Sequence, residues 1–162
     1  MRWVHGDATA LPGDLGGMVD LAVMTANVAQ AIVDEQDWAR TLAGVRRCLR
    51  PGGHLVFETR RPERRDWQEW TREQSETVTE VPGCGSIRHW VQLTGVNLPL
   101  VRFEAVRVFG DQTLISTSTL RFRGEDEIAA SLAASGYELR EVREAPDRPG
   151  RELVFVAQRA EG

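Results

Sequence analysis

The sequence predicts an α/β fold with an antiparallel β insertion. Three observations predict it. Strand and helix signals alternate over residues 1–60, a period-two pattern takes over in 61–123, and the first texture returns over 124–162. This divides the chain into a core of 1–60 and 124–162 and an inserted flap of 61–123.

The elements follow in order. Trp3-Val4-His5 reads as a short strand that ends at Gly6-Asp7, and residues 8–17 read as loop, broken by Pro12, Gly13, Gly16 and Gly17. Val19 to Met24 is β-rich and nearly all apolar, as expected of a strand covered on both faces. Asp34 caps a helix that runs to about Arg50. Its apolar face is Trp38, Leu42, Val45 and Leu49, at helical spacing, and Arg46, Arg47 and Arg50 suit its C-terminus. Pro51-Gly52-Gly53 stops the helix, and His54 to Thr59 is the next strand. Strand, helix and strand make a βαβ unit, which implies parallel pairing.

In the insertion, Arg61 to Arg65 leads into a polar helix that carries Trp67 and Trp70. Strand-like runs follow at 76–81, 87–94, 101–109 and 113–123, the last two joined at Gly110-Asp111 as a hairpin. Their alternation predicts an antiparallel sheet with water or a ligand on one side. Glu125 to Ala134 is a helix ended by Ser135-Gly136, Tyr137 to Val142 is a strand, and Leu153 to Ala157 is a final apolar strand.

Composition excludes several functions. The chain is 41% hydrophobic and 27% charged, the balance of a packed globular protein rather than a disordered one. A net charge of −4 argues against a dedicated nucleic-acid binder. All 20 basic residues are arginine, so no lysine Schiff base or P-loop lysine is available. Cys48 and Cys84 form no disulfide framework and no metal spacing, and His5, His54 and His89 are scattered, so no metal site is expected. A reducing cytoplasm is the default compartment. The uncharged stretch 21–33 is too short and too polar to span a bilayer, which needs about 20 apolar residues.

Several segments resemble a known family. Val4-His5-Gly6-Asp7-Ala8 with Leu11-Pro12 resembles the third-strand segment of class I S-adenosylmethionine-dependent methyltransferases. Val19 to Val23 resembles their fourth strand, and Leu49-Arg50-Pro51-Gly52-Gly53-His54-Leu55-Val56-Phe57-Glu58 the approach to and body of their fifth. Helix 125–134, Ser135-Gly136-Tyr137 and the strand after it resemble the last helix and sixth strand. The resemblance implies a partial Rossmann-like sheet flanked by helices, S-adenosyl-L-methionine as cofactor, and a small-molecule acceptor under the flap. It departs at the N-terminus. The family's first strand, its Gly-rich cofactor loop and its ribose-binding acidic residue have no counterpart, and there is no GxGxG. The chain therefore reads as N-terminally truncated, with weak or no cofactor binding expected.

The cut has a physical consequence. In the family's sheet the missing strands lie between the third and the fourth. Strand 19–24 would be left as an exposed apolar edge, which invites pairing. A strand at 2–5 is expected to re-pair beside it or to be poorly held, and a homodimer through this edge is the alternative cover.

By resemblance, Asp7 would accept from the adenine amino group and the Ala8 amide would donate to the ring. Read from the residues, Gly6-Asp7 also suits a plain turn. Met24, Thr25, Ala26, Asn27 and Val28 leave a strand at its carboxyl end, where open α/β sheets bind ligands, and Asn27 also suits a helix cap. Glu58, Thr59 and Arg60 leave the next strand at the same edge. Glu58 is the candidate general base and Glu58, Arg60 and Trp90 the candidate acceptor contacts; a surface ion pair is the plain alternative for Glu58. Trp67 and Trp70 are expected to pack the flap onto the body. The other function in view is a catalytically inactive methyltransferase-like remnant that serves as a binding or dimerisation module.

Overall fold

The computed structural model describes residues 5–10, 16–83 and 85–161. Two four-stranded sheets organise them. The first has the order β1 (Val19–Met24), β2 (Leu49–Arg60), β8 (Glu152–Arg159), β7 (Tyr137–Glu144). The second is β3 (Thr77–Val81), β4 (Gly85–Asn97), β5 (Leu100–Phe109), β6 (Gln112–Arg121). The helices are α1 (Val28–Ala31), α2 (Glu35–Cys48), α3 (Arg72–Ser75) and α4 (Glu125–Ala134). The alternating segments make the first sheet and the period-two segments make the second, as their patterns predict.

β1 pairs parallel with β2 across α2, which is the predicted βαβ unit. Asp34 caps α2 by accepting from Gln36 N at 2.8 Å and Asp37 N at 2.9 Å. The helix ends at Cys48, short of Arg50, and β2 begins at Leu49 rather than His54. Leu49 pairs with Val19, and Gly52 takes a left-handed φ of 74°, so Pro51-Gly52-Gly53 bends a strand instead of separating it from a helix. At Gly53 a β-carbon would stand 3.1 Å from Val19 O and 3.2 Å from Asp20 O, so the backbones approach closely there.

The main core lies between the first sheet and one layer of helices. Trp38, Leu42 and Val45 of α2 and Ile128 and Leu132 of α4 pack on Leu55, Phe57, Phe155 and Ala157. Phe57 stacks on Phe155 at 5.3 Å and meets Trp38 edge-on at 5.7 Å. The opposite face of the sheet differs from the expectation for β1. Leu21 and Val23 are 54% and 59% exposed, and Val56, Val154 and Val156 are half-buried. Among the described residues, helices cover this sheet on one side only, and β1 is its edge. The strand expected at 2–5 falls mostly outside the described residues; His5 itself carries no regular structure.

Several boundaries in the insertion also differ. The polar helix expected after Arg61 is two 3-10 turns, Pro62–Arg64 and Asp66–Glu69, followed by the single turn of α3. Arg65 has a φ of 54°, which interrupts the helical path between the two turns. Trp67 and Trp70 then pack on Phe122, at 4.6 and 6.2 Å between ring centres. The run expected as strand to Arg123 leaves the sheet after Arg121. Phe122 is buried in this second core, and Arg123 is buried against α1 and α2. At the far end of the second sheet both Leu114 and Ile115 are exposed, so neither face is covered there.

Candidate functional site

β1 and β2 run parallel, so Met24 and Arg60 end at one edge of the sheet. β8 is antiparallel to β2 and starts at that edge, where Glu152 pairs with Arg60. Asp7 and Ala8 reach the same edge from outside the sheet. They stay there because Gly44 of α2 lets the chain in: a β-carbon on Gly44 would stand 2.0 Å from Ala8 O. Thr41, Gly44 and Cys48 form a stripe of small residues along α2, a signal legible in the sequence and missed there.

A groove of about 680 Å³ opens at this edge. Asp7, Ala8, Met24 and Val28 all line it, with Ala31, Ile32 and Val33 as apolar wall. These four candidate contacts come from two separate segments and meet in one depression. Asp7 also serves the local turn: its Oδ1 accepts from Thr9 N at 2.8 Å and Thr9 Oγ1 at 2.5 Å.

Thr25, Ala26 and Asn27 form the turn between β1 and α1. Thr25 and Ala26 are exposed; Asn27 is buried. Ala26 and Asn27 are both left-handed, with φ of 56° and 57°. Consecutive non-glycine residues in this region cost roughly 1–2 kcal/mol each. Asn27 does not cap α1 with its side chain. Instead its Nδ2 donates to Glu152 Oε1 at 3.0 Å, across the sheet. Glu58 Oε1 accepts from Ala26 N at 2.8 Å. The Glu58 carboxylate thus engages the turn rather than an arginine side chain at hydrogen-bond distance.

Beside the turn lies a second cleft of about 590 Å³, lined by Arg60, Asp66, Trp70, Arg148, Arg151, Glu152 and their neighbours. Glu152 is 3% exposed and accepts from Arg148 at 2.8 Å, with Arg60 Nε at 3.8 Å. Arg60 donates to Gln30 Oε1 at 3.1 Å and lies 5.8 Å from the Trp70 ring centre. Burial pulls the Arg60 guanidinium below its ordinary pKa, opposed chiefly by Glu152. Glu152, Gln30 and Arg148 were not singled out from the sequence. Glu152 merely heads an apolar strand, and only its pairing with Arg60 brings it to the site. Trp90 goes elsewhere: it packs under the Arg72 guanidinium at 4.3 Å, on β4, and is not among the residues lining these two clefts. No cluster of potential metal ligands occurs among the described residues. No helix among them is long and apolar enough to cross a membrane.

Comparison with known proteins bears on the fold. The family described as a methyltransferase domain matches residues 1–57. No curated protein matches the chain. Among solved structures, an S-adenosylmethionine-dependent methyltransferase from Clostridium acetobutylicum is similar with a TM-score of 0.74 and 12% identity, over 99% of this chain and 65% of that one. An S-adenosylmethionine-bound amino pentose methyltransferase from Micromonospora echinaspora is similar with a TM-score of 0.69 and 20% identity, over 96% and 63%. A sugar N-methyltransferase from Streptoalloteichus gives 0.70 and 21%, over 96% and 61%. The chain thus spans just under two thirds of the length of these structures. Residues 1–57 match the methyltransferase domain family, and the chain folds like the corresponding part of these S-adenosylmethionine-dependent methyltransferase structures.

Proposed function

We propose that this chain serves methyl transfer from S-adenosylmethionine to a small-molecule acceptor. One observation carries the reading: Asp7 and Ala8, and Met24 and Val28, wall a single groove at the carboxyl edge of the sheet. The residues fit the adenine half of the cofactor. A carboxylate faces an exocyclic amine well, and Ala31, Ile32 and Val33 offer an apolar surface to a flat ring. When bound, the cofactor supplies an electrophilic methyl group. The chain's own part is alignment: the groove holds the ring, and the Ala26–Asn27 turn separates it from the Arg60–Trp70 cleft, where the acceptor would sit. The flap places Trp70 and Asp66 on that cleft. The sugar and amino pentose methyltransferases of similar fold make a hydrophilic small acceptor the natural case. Cys48, a buried free thiol, fits a reducing cytoplasm.

No Gly-rich loop following a strand lies among the described residues. The test is titration of the chain with adenosine and S-adenosylhomocysteine, followed by amide chemical shifts. Shifts centred on Asp7, Ala8, Met24 and Val28, lost in Asp7→Ala, support the reading. Saturating ligand with no response in the groove sinks it.

A second reading rests on the bare sheet face. The exposed Leu21 and Val23 on an edge strand fit a remnant that dimerises there. Sedimentation equilibrium decides it: a monomer mass at every concentration removes this reading.

A further inference from the structure

Two carboxylates from different strands converge on one strained turn. Ala26 and Asn27 are left-handed at φ 56° and 57°, although neither is glycine. Such a conformation persists only where its surroundings over-determine it. Here Glu58 of β2 takes the Ala26 amide at 2.8 Å, and Glu152 of β8 takes the Asn27 side-chain amide at 3.0 Å. Asn27 and Glu152 are buried, at 4% and 3% exposure, so water competes little for this second bond. The turn is flanked on one side by Met24 and Val28 of the groove and on the other by Glu152 and Arg60 of the cleft.

We infer that Glu58 and Glu152 form a clamp that holds the Ala26–Asn27 turn in its left-handed form, and that Glu58 is a positioning residue rather than a proton acceptor. The assignment deepens the methyl-transfer reading, and only its ligand-dependent half rests on it. The physical content is specific. Glu58 Oε1 receives a backbone N–H, and that contact needs an acceptor oxygen, not a negative charge. Glutamine supplies the same oxygen; alanine does not. A base, by contrast, fails equally as glutamine or alanine. The strain gives a second handle. Glycine takes positive φ at no steric cost, so Ala26→Gly removes the need for the clamp.

The experiment uses the whole chain and two readouts. The first is hydrogen exchange at the Ala26 amide, without ligand. Protection is expected in the native chain, retained within about twofold in Glu58→Gln, and reduced about tenfold or more in Glu58→Ala. The second is the adenosine-induced shift at Met24 and Val28. It is expected to be weakened in Glu58→Ala, kept in Glu58→Gln, and restored in the double variant Glu58→Ala with Ala26→Gly. An unprotected Ala26 amide in the native chain overturns the clamp. So does a Glu58→Gln variant that keeps Ala26 protected yet loses the adenosine response, since the charge itself would then be needed. Absence of any adenosine response in the native chain strikes the methyl-transfer reading alone, because exchange at Ala26 still judges the clamp.

Discussion

Gly44→Ala is the sharpest test of how the groove is made. Gly44 lies inside α2, where alanine is the better helix former by about 1 kcal/mol. Propensity alone therefore predicts a more stable protein. The structure predicts the opposite. An added β-carbon would stand 2.0 Å from Ala8 O, whereas real β-carbons do not come within 3.0 Å of such an atom. The obstacle is backbone, so the Asp7–Thr9 segment must retreat by at least the 1.0 Å deficit. Overpacking of this kind costs roughly 1–3 kcal/mol. Set against the propensity gain, the net change is a destabilisation of about 0–2 kcal/mol. For a chain of this size that lowers the melting temperature by up to about 8 °C. The larger effect is on the groove. A shift of this size would break the proposed hydrogen bond that the adenine amino group donates to the Asp7 carboxylate, worth about 1.5–3 kcal/mol, so adenosine affinity should fall about tenfold or more. Thermal unfolding and the adenosine titration measure the two effects. A Gly44→Ala protein that melts higher and binds adenosine as before would refute the close approach of Ala8 to α2.

Three further outcomes are expected. Tyr137 is the only tyrosine in the sequence, is buried, and donates to Leu42 O at 2.9 Å. Burial pushes its hydroxyl pKa up, so the folded state holds this proton more tightly than the unfolded one. Its contribution is intact below about pH 10 and is lost as pH rises further, at up to about 1.4 kcal/mol per pH unit. Tyr137→Phe should cost about 1 kcal/mol at neutral pH and flatten the alkaline limb of a pH–stability curve; a limb unchanged in the variant would count against it. Arg123 is 4% exposed and donates to Ala29 O at 3.2 Å and Ile32 O at 2.9 Å, with Glu35 at 3.3 Å. Burial lowers its pKa, yet its bonds tie the segment after β6 to α1 and α2. Arg123→Met leaves these acceptors unpaired, and denaturant unfolding should show a loss of about 3 kcal/mol. On the sheet edge, Val23→Lys should weaken any self-association seen by sedimentation about tenfold or more, since a charge on an edge strand opposes strand pairing.

The sequence carried the secondary structure well where pattern was strong. Val19–Met24 and Glu125–Ala134 have the predicted ends, because a short apolar run and an acidic first turn before a Ser-Gly stop are local signals. Pattern failed at Leu49–Gly53, where the helical period of Leu49 overlaps the start of a strand. It failed again at 62–75, where charge and tryptophan spacing suit a helix but Arg65 breaks it. Part of the groove was legible as well: Met24 and Val28 flank the end of β1, and strand ends are where such sheets open, whereas Asp7 and Ala8 came from the resemblance. Glu152 was not legible. It lies far along the chain from Asn27, and only β8 folding back antiparallel to β2 brings the two together.

The amino-acid sequence by itself determined the architecture: periodicity divides the chain into an α/β core and an antiparallel insertion, since burial of apolar faces obeys local spacing. It also determined which edge of the sheet carries the candidate residues, since parallel strands end together. Tertiary structure alone decided how those residues are used. The left-handed Ala26–Asn27 turn, the diversion of Asn27 from its helix to Glu152, the engagement of Glu58 with a backbone amide and the intimacy of Gly44 with Ala8 all join segments distant in sequence. Such contacts depend on positioning to a few tenths of an ångström between elements distant in sequence, and of them only the small-residue stripe at Gly44 leaves a trace in local pattern.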